Sequence, residues 1–409
     1  MIKNKFKLNP INLERWKRFK ANRRGYVCFW LFMLMTVISL FAEVFFNSRP
    51  LIVSYEGKWY YPFIQDVIPA KTFGMKGESE TDYFELQEKF ENDKSSNWVL
   101  FTLVPYDADH VTKIDPVPLD EKISAIDEKY KKQKTELNKN SASQDELLKT
   151  IYNLELKENL EKGKLEKLKY HPLPPDVTSK HYLGTDSNGR DIFARLFYGY
   201  RIAICFALVL LLVTYLIGVA IGCMMGYFGG VFDLIVQRKI EILSNIPFLY
   251  VIIIIAAVLR ENNSEMGFWT LIGIYTIFGW MGMTWYMRTS TFKEKAREYV
   301  WAAKAIGASN TRIIFKHILP NVVSLLVTFI PFSISGSIVG LTSLDYLGYG
   351  LPKGTPSWGE LIRLGTEDMD SYWIVLSVVS AMIIVLFLIN SIGEAVREAF
   401  DPKKISRFE

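Results

Sequence analysis

The chain has 409 residues, half of them hydrophobic, and a net charge of +5. Its basic residues form no cluster interleaved with aromatics in a polar module, which argues against nucleic acid as a partner. Its three cysteines, Cys28, Cys205 and Cys223, all lie inside apolar runs, so no disulfide framework is expected and each reads as a small packing residue.

Apolar residues cluster in runs of about 20, the length that crosses a bilayer core as a helix. The first run, 26–46, follows a basic segment with Arg15, Lys17, Arg18, Lys20, Arg23 and Arg24. It is long for the apolar core of a signal peptide, and no small-x-small cleavage site follows it, so it is read as an uncleaved first span. Further runs at 202–225, 240–259, 268–287, 322–343 and 372–392 bring the expected total to six. The predicted fold is therefore an all-α integral membrane protein with six transmembrane helices and a large insertion between helices 1 and 2.

Orientation follows from Lys and Arg in the short flanks. The N-terminal segment 1–25, the loop 289–321 and the tail 394–409 are all basic, and six spans put them on one side. Both termini are expected in the cytoplasm, with 47–200 facing outward and 201–393 forming the membrane core around its inward loop.

Within the outward region, residues 47–116 mix aromatics and prolines, as a small packed lobe would, without legible secondary structure. Residues 119–169 carry Leu119, Ile123, Ile126, Tyr130 and Leu137 at heptad-like spacing, then a polar break and a second stripe, Leu147, Leu148, Ile151 and Leu154. Ser143 and Glu146 resemble a capping box opening the second helix. This predicts a helical hairpin at 119–169, with a solvated, partly disordered insert as the alternative. The loop from His181 to Asp191 supplies caps: Asp186 and Asp191 pair locally, and Asp191 is placed to open the helix carrying Arg195 and Arg201. Its spacing is not that of a calcium loop, and no metal site is expected.

The inward loop carries the most specific signal. Glu298, Trp301, Ala302, Ala303, Lys304, Ala305 and Gly307 form one half, with small residues that let another surface approach the backbone. Gly307 is suited to close a helix in the left-handed region, and Ser309 to cap the next. Ile313, Ile314 and Ile318 give that second helix an apolar face, and Pro320 is expected to stop it before the fifth span. An amphipathic helix resting on membrane lipid is the alternative. Along the pathway, Asn245, Ile330, Phe332, Ile334 and Asn390 are candidate wall or gate residues, and Glu241 is expected to pair locally with Arg238 or Lys239. Asn245-Ile246-Pro247 is a place for the third span to bend.

The segment 298–321 resembles the EAA loop of ABC-importer permeases, with Ala302-Ala303, Gly307 and Leu319-Pro320 at the family spacing. It departs at Trp301, where Glu is usual, and at His317, where Ile is usual. Leu183-Gly184-Thr185-Asp186, Gly189-Arg190-Asp191, Gly226-Tyr227-Phe228-Gly229-Gly230 with Asp233, 344–352 and 393–402 resemble the oligopeptide/dipeptide branch, in the subunit type with a long N-terminal extension. The segments 10–25 and 49–61 look most like the Yej-type permeases, associated with peptides and microcin C.

The resemblance implies a non-enzymatic permease. ATP and Mg would be used by two ATP-binding partner subunits, beside a homologous second permease of B type and a periplasmic substrate-binding protein, in a bacterial inner membrane. In keeping with this, no G-x-x-x-x-G-K-[ST] phosphate loop occurs in the chain. The resemblance implies that the loop docks on the ATPase through its EAA residues, here Glu298, Trp301, Ala302, Ala303, Gly307, Leu319 and Pro320. A secondary transporter, an importer of a nickel chelate and an assembly scaffold are the competing readings.

Overall fold

The computed structural model describes residues 10–75, 79–93, 96–114, 117–140, 144–167 and 172–400. It is mostly helical. In chain order the elements are α1 Pro10–Ala21, α2 Arg23–Leu40, α3 Ala42–Phe45, strands β1 Ile52–Tyr55 and β2 Lys58–Tyr60, α4 Tyr83–Asn92, β3 Trp98–Leu100, α5 Val117–Asn140 and α6 Gln144–Lys167. Then follow α7 Ile192–Phe228, α8 Gly230–Ser244, α9 Phe248–Glu261, α10 Phe268–Lys295, α11 Glu298–Ala305, α12 Asn310–Arg312, α13 Leu319–Tyr346, α14 Trp358–Glu367 and α15 Tyr372–Phe400. Two compact units emerge: Met1–Ala42 with Leu196–Arg363 and Val378–Glu409, and Glu43–Arg195 with Leu364–Ser377.

Among the described residues, four helical stretches are long and apolar enough to cross a membrane: Arg23–Leu40, Ile192–Phe228, Asn310–Tyr346 and Tyr372–Phe400. A fifth is the pair α8 and α9, bent by 70°. The sequence reading began this span at residue 240 with a bend at Asn245-Ile246-Pro247, and the structure starts it at Gly230 and breaks the helix at that same place. Pro247 has no N–H to continue the ladder, and the Asn245 side chain donates to the Glu241 carbonyl at 2.7 Å, ending α8. Glu241 pairs with Arg238 at 2.5 Å, one helical turn away.

The 28-residue α10 is long enough to span but rich in Gly, Thr, Trp and Tyr. What it lacks in hydropathy it makes up in packing. Gly218, Gly222 and Gly226 form a stripe on α7. A Cβ at these positions would fall 2.8, 2.6 and 2.6 Å from the carbonyl oxygens of Trp280, Thr284 and Arg288. The two backbones thus touch along two turns, the small-xxx-small arrangement that lets membrane helices pack without large side chains. The Thr284 hydroxyl also donates to the Gly218 carbonyl at 3.3 Å.

One further expectation is corrected. Pro320 does not separate a short helix from the fifth span. The chain runs helically from Asn310 to Tyr346 through a π-helical turn, Ile313–Ile318, with Pro320 in the first turn of α13. The Leu319 N–H bonds to the Ile314 carbonyl, five residues back. The Asn321 amide donates to the His317 carbonyl at 2.7 Å. A proline is tolerated here because its missing donor falls where the backbone is already reorganising. In the tail placed from residue 394, the helix α15 continues as far as Phe400, with Ala395 and Ala399 buried beside Phe19. Gly25 abuts Ala395 and Ser391 there. Residues 401–409 lie outside the described residues.

The second unit contains a three-stranded antiparallel sheet in the order β2-β1-β3, with Val53 opposite both Tyr60 and Val99. Val53, Phe73, Tyr83, Leu86 and Phe90 form its core. Asp82 caps α4 by accepting from the N–H groups of Phe84 and Glu85. Helices α5 and α6 pack on each other. Tyr130 is buried in their seam, Ile123 and Ile126 are half-buried, and Lys134 bridges Glu155 and Glu158 at 3.3 and 2.9 Å. Ser143 lies outside the described residues, and nothing is described of the Glu146 side chain.

The same unit holds a buried polar cluster. His181 Nδ1 pairs with Asp191 Oδ2 at 2.8 Å and stacks on Tyr106 at 4.0 Å, and its other nitrogen meets Thr112 Oγ1 at 3.1 Å. Burial pushes the Tyr106 phenol up to about 12. Asp191 Oδ1 accepts from the Ala194 N–H at 2.8 Å and so caps α7. Asp186 accepts from the N–H groups of Asn188 and Arg190, both at 2.9 Å.

Candidate functional site

The loop between α10 and α13 is built by caps at each step. Ala296 ends α10, and Arg297 turns to start α11 while its guanidinium pairs with Glu294 at 3.0 Å. The Tyr299 hydroxyl donates to the same carboxylate at 2.9 Å, and burial, then that hydrogen bond, raises the phenol's pKa. Helix α11 closes with Gly307 at φ +81°. The Gly307 N–H bonds to the Lys304 carbonyl and the Ala308 N–H to the Ala303 carbonyl, each at 3.0 Å. This pair of bonds is a Schellman closure, and the left-handed residue it requires is the reason glycine stands there. Ser309 then accepts from the Arg312 N–H at 3.4 Å and opens α12.

The two faces of α11 differ. Val300 and Ala303 are buried with Cys223, Met283, Met287, Ile313, Ile314 and Ile318. Trp301 is 62% exposed and Ile306 86%. Ala302, Lys304, Ala305 and Gly307 are exposed with them, and so is Glu298. The predicted small-residue surface is therefore Ala302, Ala305 and Gly307. Ala303 is corrected: it faces its own core, because the i and i+3 positions Val300 and Ala303 share the inward side of the helix. Leu319 packs against that core and Pro320 is exposed.

Beneath the loop, Arg288 on α10 grips Asp233 on α8 with two bonds of 2.6 Å, through Nε and an Nη. The guanidinium lies 5.5 Å from the Trp285 ring and 4.9 Å from that of Phe292. Tyr227 at the end of α7 donates to Asn310 Oδ1 at 2.8 Å. The loop is thus fastened to α7 by a hydrogen bond and to its own core by apolar packing, and the base of α10 is tied to the broken span by a bidentate pair. Sequence reading missed the Asp233–Arg288 pair. Its partners are 55 positions apart. The only signal was a charge on each side of an apolar helix end.

The pathway candidates are scattered in character. Asn245 is exposed at the break between α8 and α9. Ile330 is half-buried on α13, and Phe332 and Asn390 are exposed on α13 and α15. Ile334 is corrected: it is buried within the chain and offers no wall to a pathway.

Over residues 218–406 the chain matches the family described as binding-protein-dependent transport system inner membrane component, and over 14–62 the N-terminal transmembrane domain of oligopeptide transport permease C. It is 36% identical over 407 residues to the peptidoglycan transport system permease protein YejE of Agrobacterium fabrum, covering 98% of this chain and 95% of that one. To the inner membrane ABC transporter permease protein YejE of Escherichia coli it is 34% identical over 400 residues, covering 97% and 99%. To the oligopeptide transport system permease protein OppC of Lactococcus lactis it is 37% identical over 234 residues, covering 56% and 78%. With near-complete coverage at this identity, and a capped, half-exposed loop at the foot of its long helices, the chain belongs to the family of binding-protein-dependent transport system inner membrane components.

Proposed function

We propose that this chain is one permease half of an ATP-driven importer for peptides or peptide-like compounds, microcin C among them. The observation that carries the reading is α11, a short helix with one face anchored in the core and the other bare. Such a helix transmits force only if something presses on it, and the family supplies an ATPase for that role. The complex would comprise a second, homologous permease, two ATP-binding subunits that use ATP and Mg, and a periplasmic binding protein that delivers substrate.

The arrangement proposed is six spans with both termini in the cytoplasm of a bacterium, the third being α8 and α9 and the fourth α10. The stretch 47–200, with its hairpin, would lie in the periplasm. The glycine stripe of α7 supports counting α10 as a span, since its close packing removes the need for a wholly apolar surface. Docking would involve Glu298, Trp301, Ala302, Gly307 and Pro320. The peptide substrate class is supported by the names of the relatives, which include peptidoglycan and oligopeptide transport systems.

The test is uptake by the complete complex in proteoliposomes, with binding protein and a labelled peptide outside and nucleotide inside. Accumulation that requires hydrolysable ATP is expected. Accumulation without ATP, driven by an ion gradient, would favour the secondary-transporter reading instead.

A further inference from the structure

Between the end of α7 and the outer face of α11 lies a cleft of about 240 Å³, lined by Tyr227, Phe228, Lys295, Trp301, Lys304 and Asn310 among others. Its chemistry is uniform. The Lys295 ammonium lies 5.7 Å from the Tyr227 ring centroid, and that of Lys304 lies 5.8 Å from the Trp301 centroid. Among the described residues, neither lysine has a carboxylate within salt-bridge reach. The Tyr227 hydroxyl occupies Asn310 Oδ1, which leaves the amide nitrogen as the donor. The charged ends offered here are thus both cations, with the Asn310 amide as a further donor, on aromatic walls that hold the lysine stems in place.

We propose that this cleft receives a carboxylate side chain from the ATPase subunit, so that the docking contact of this permease is an acid entering a basic, aromatic socket. The inference rests on the docking reading above and names the chemistry of its partner. A basic flank alone is what membrane orientation requires. The additional features are the half-open cleft and its position beside a bare surface of Ala302, Ala305 and Gly307. Those small residues let a protein backbone come close, which a lipid headgroup does not need.

Zero-length carbodiimide coupling of the assembled wild-type complex in nanodiscs tests this directly, since the reagent joins an amine only to a carboxylate already touching it. Mass spectrometry should find Lys295 or Lys304 joined to an Asp or Glu of the ATPase subunit. In parallel, Lys295→Glu with Lys304→Glu should lower peptide-stimulated ATP hydrolysis by about tenfold or more at low salt. Lys304→Arg should preserve it. Ile306→Asp serves as the control for docking itself. If Ile306→Asp abolishes stimulation while the double reversal leaves it intact and no coupled peptide forms, the socket inference is wrong and docking stands. If neither variant matters, docking falls too. If the double reversal instead strips phosphatidylglycerol from the complex with hydrolysis unchanged, the cleft is a lipid site and the inference is overturned.

Discussion

Gly307 is the position where the loop depends on an absent side chain. Its φ of +81° would cost any other residue roughly 1–2 kcal/mol of local strain, yet a Cβ there meets nothing within 4 Å. Alanine and tryptophan should therefore behave differently. Gly307→Ala should keep transport with a slightly looser loop. Gly307→Trp should insert and assemble in normal amount but hydrolyse ATP without moving peptide, as read by the ratio of uptake to phosphate release; normal uptake would count against docking on this face. The Asp233–Arg288 pair makes a second residue-scale prediction. Removing one partner of a mostly buried bidentate pair strands the other, so Arg288→Ala should destabilise by about 3 kcal/mol, while the double change to Ala should recover part of it. Thermal unfolding in nanodiscs measures both. The caps at Asp191, Gly307 and Ser309 were readable in advance because a cap is settled within four residues of chain. Ala303 and Ile334 were misread because their neighbours across the fold decide which way they face.

At the scale of elements, the apolar runs located the long apolar helices, and Pro247 marked the bend in the third. Hydropathy reports whether a segment prefers lipid. It does not report a π-helical turn that carries a helix past Pro320, which keeps the composition and changes only the hydrogen bonding. The stripe Gly218, Gly222 and Gly226 was a readable signal that went unread, and it fixes how α7 meets α10. Gly222→Val would drive a branched side chain into the Thr284 carbonyl and Met287, so it should abolish accumulation of folded permease, measured as monodisperse protein after extraction. In the lobe around the sheet, burial holds His110 below the ordinary imidazole range. A base whose folded pKa is depressed stabilises the fold above its unfolded value, about 6.5, and that stability is lost as pH falls below it. The lobe of the full-length protein should lose amide-exchange protection between about pH 7 and pH 5. His110→Gln should flatten that slope.

For the whole molecule, the readable part was the sequence of long helices, the charged hairpin of α5 and α6, and the bare loop. The lobe within residues 47–114 was not readable, because its strands of three or four residues and its 10-residue helix are held by aromatic contacts between segments far apart in the chain. A two-sided labelling experiment examines the proposed orientation. After Cys28, Cys205 and Cys223 are replaced by Ala, Glu56→Cys should react with an impermeant maleimide in spheroplasts, and Thr311→Cys only in inverted vesicles. Reaction of both from the same side would rule out the six-span arrangement.

Ile306 has a consequence for the life of the chain in a cell. An isoleucine so fully bared at a helix tip, flanked by Trp301, is what quality-control proteases and chaperones bind on subunits that have lost their companions. A cell making this chain without its ATPase should clear it quickly, so that its half-life in a pulse-chase tracks the supply of the motor. Ile306→Asp should lengthen the life of the orphan while forfeiting assembly. Stoichiometry would then be enforced by degradation, through a side chain that the proposed docking would cover.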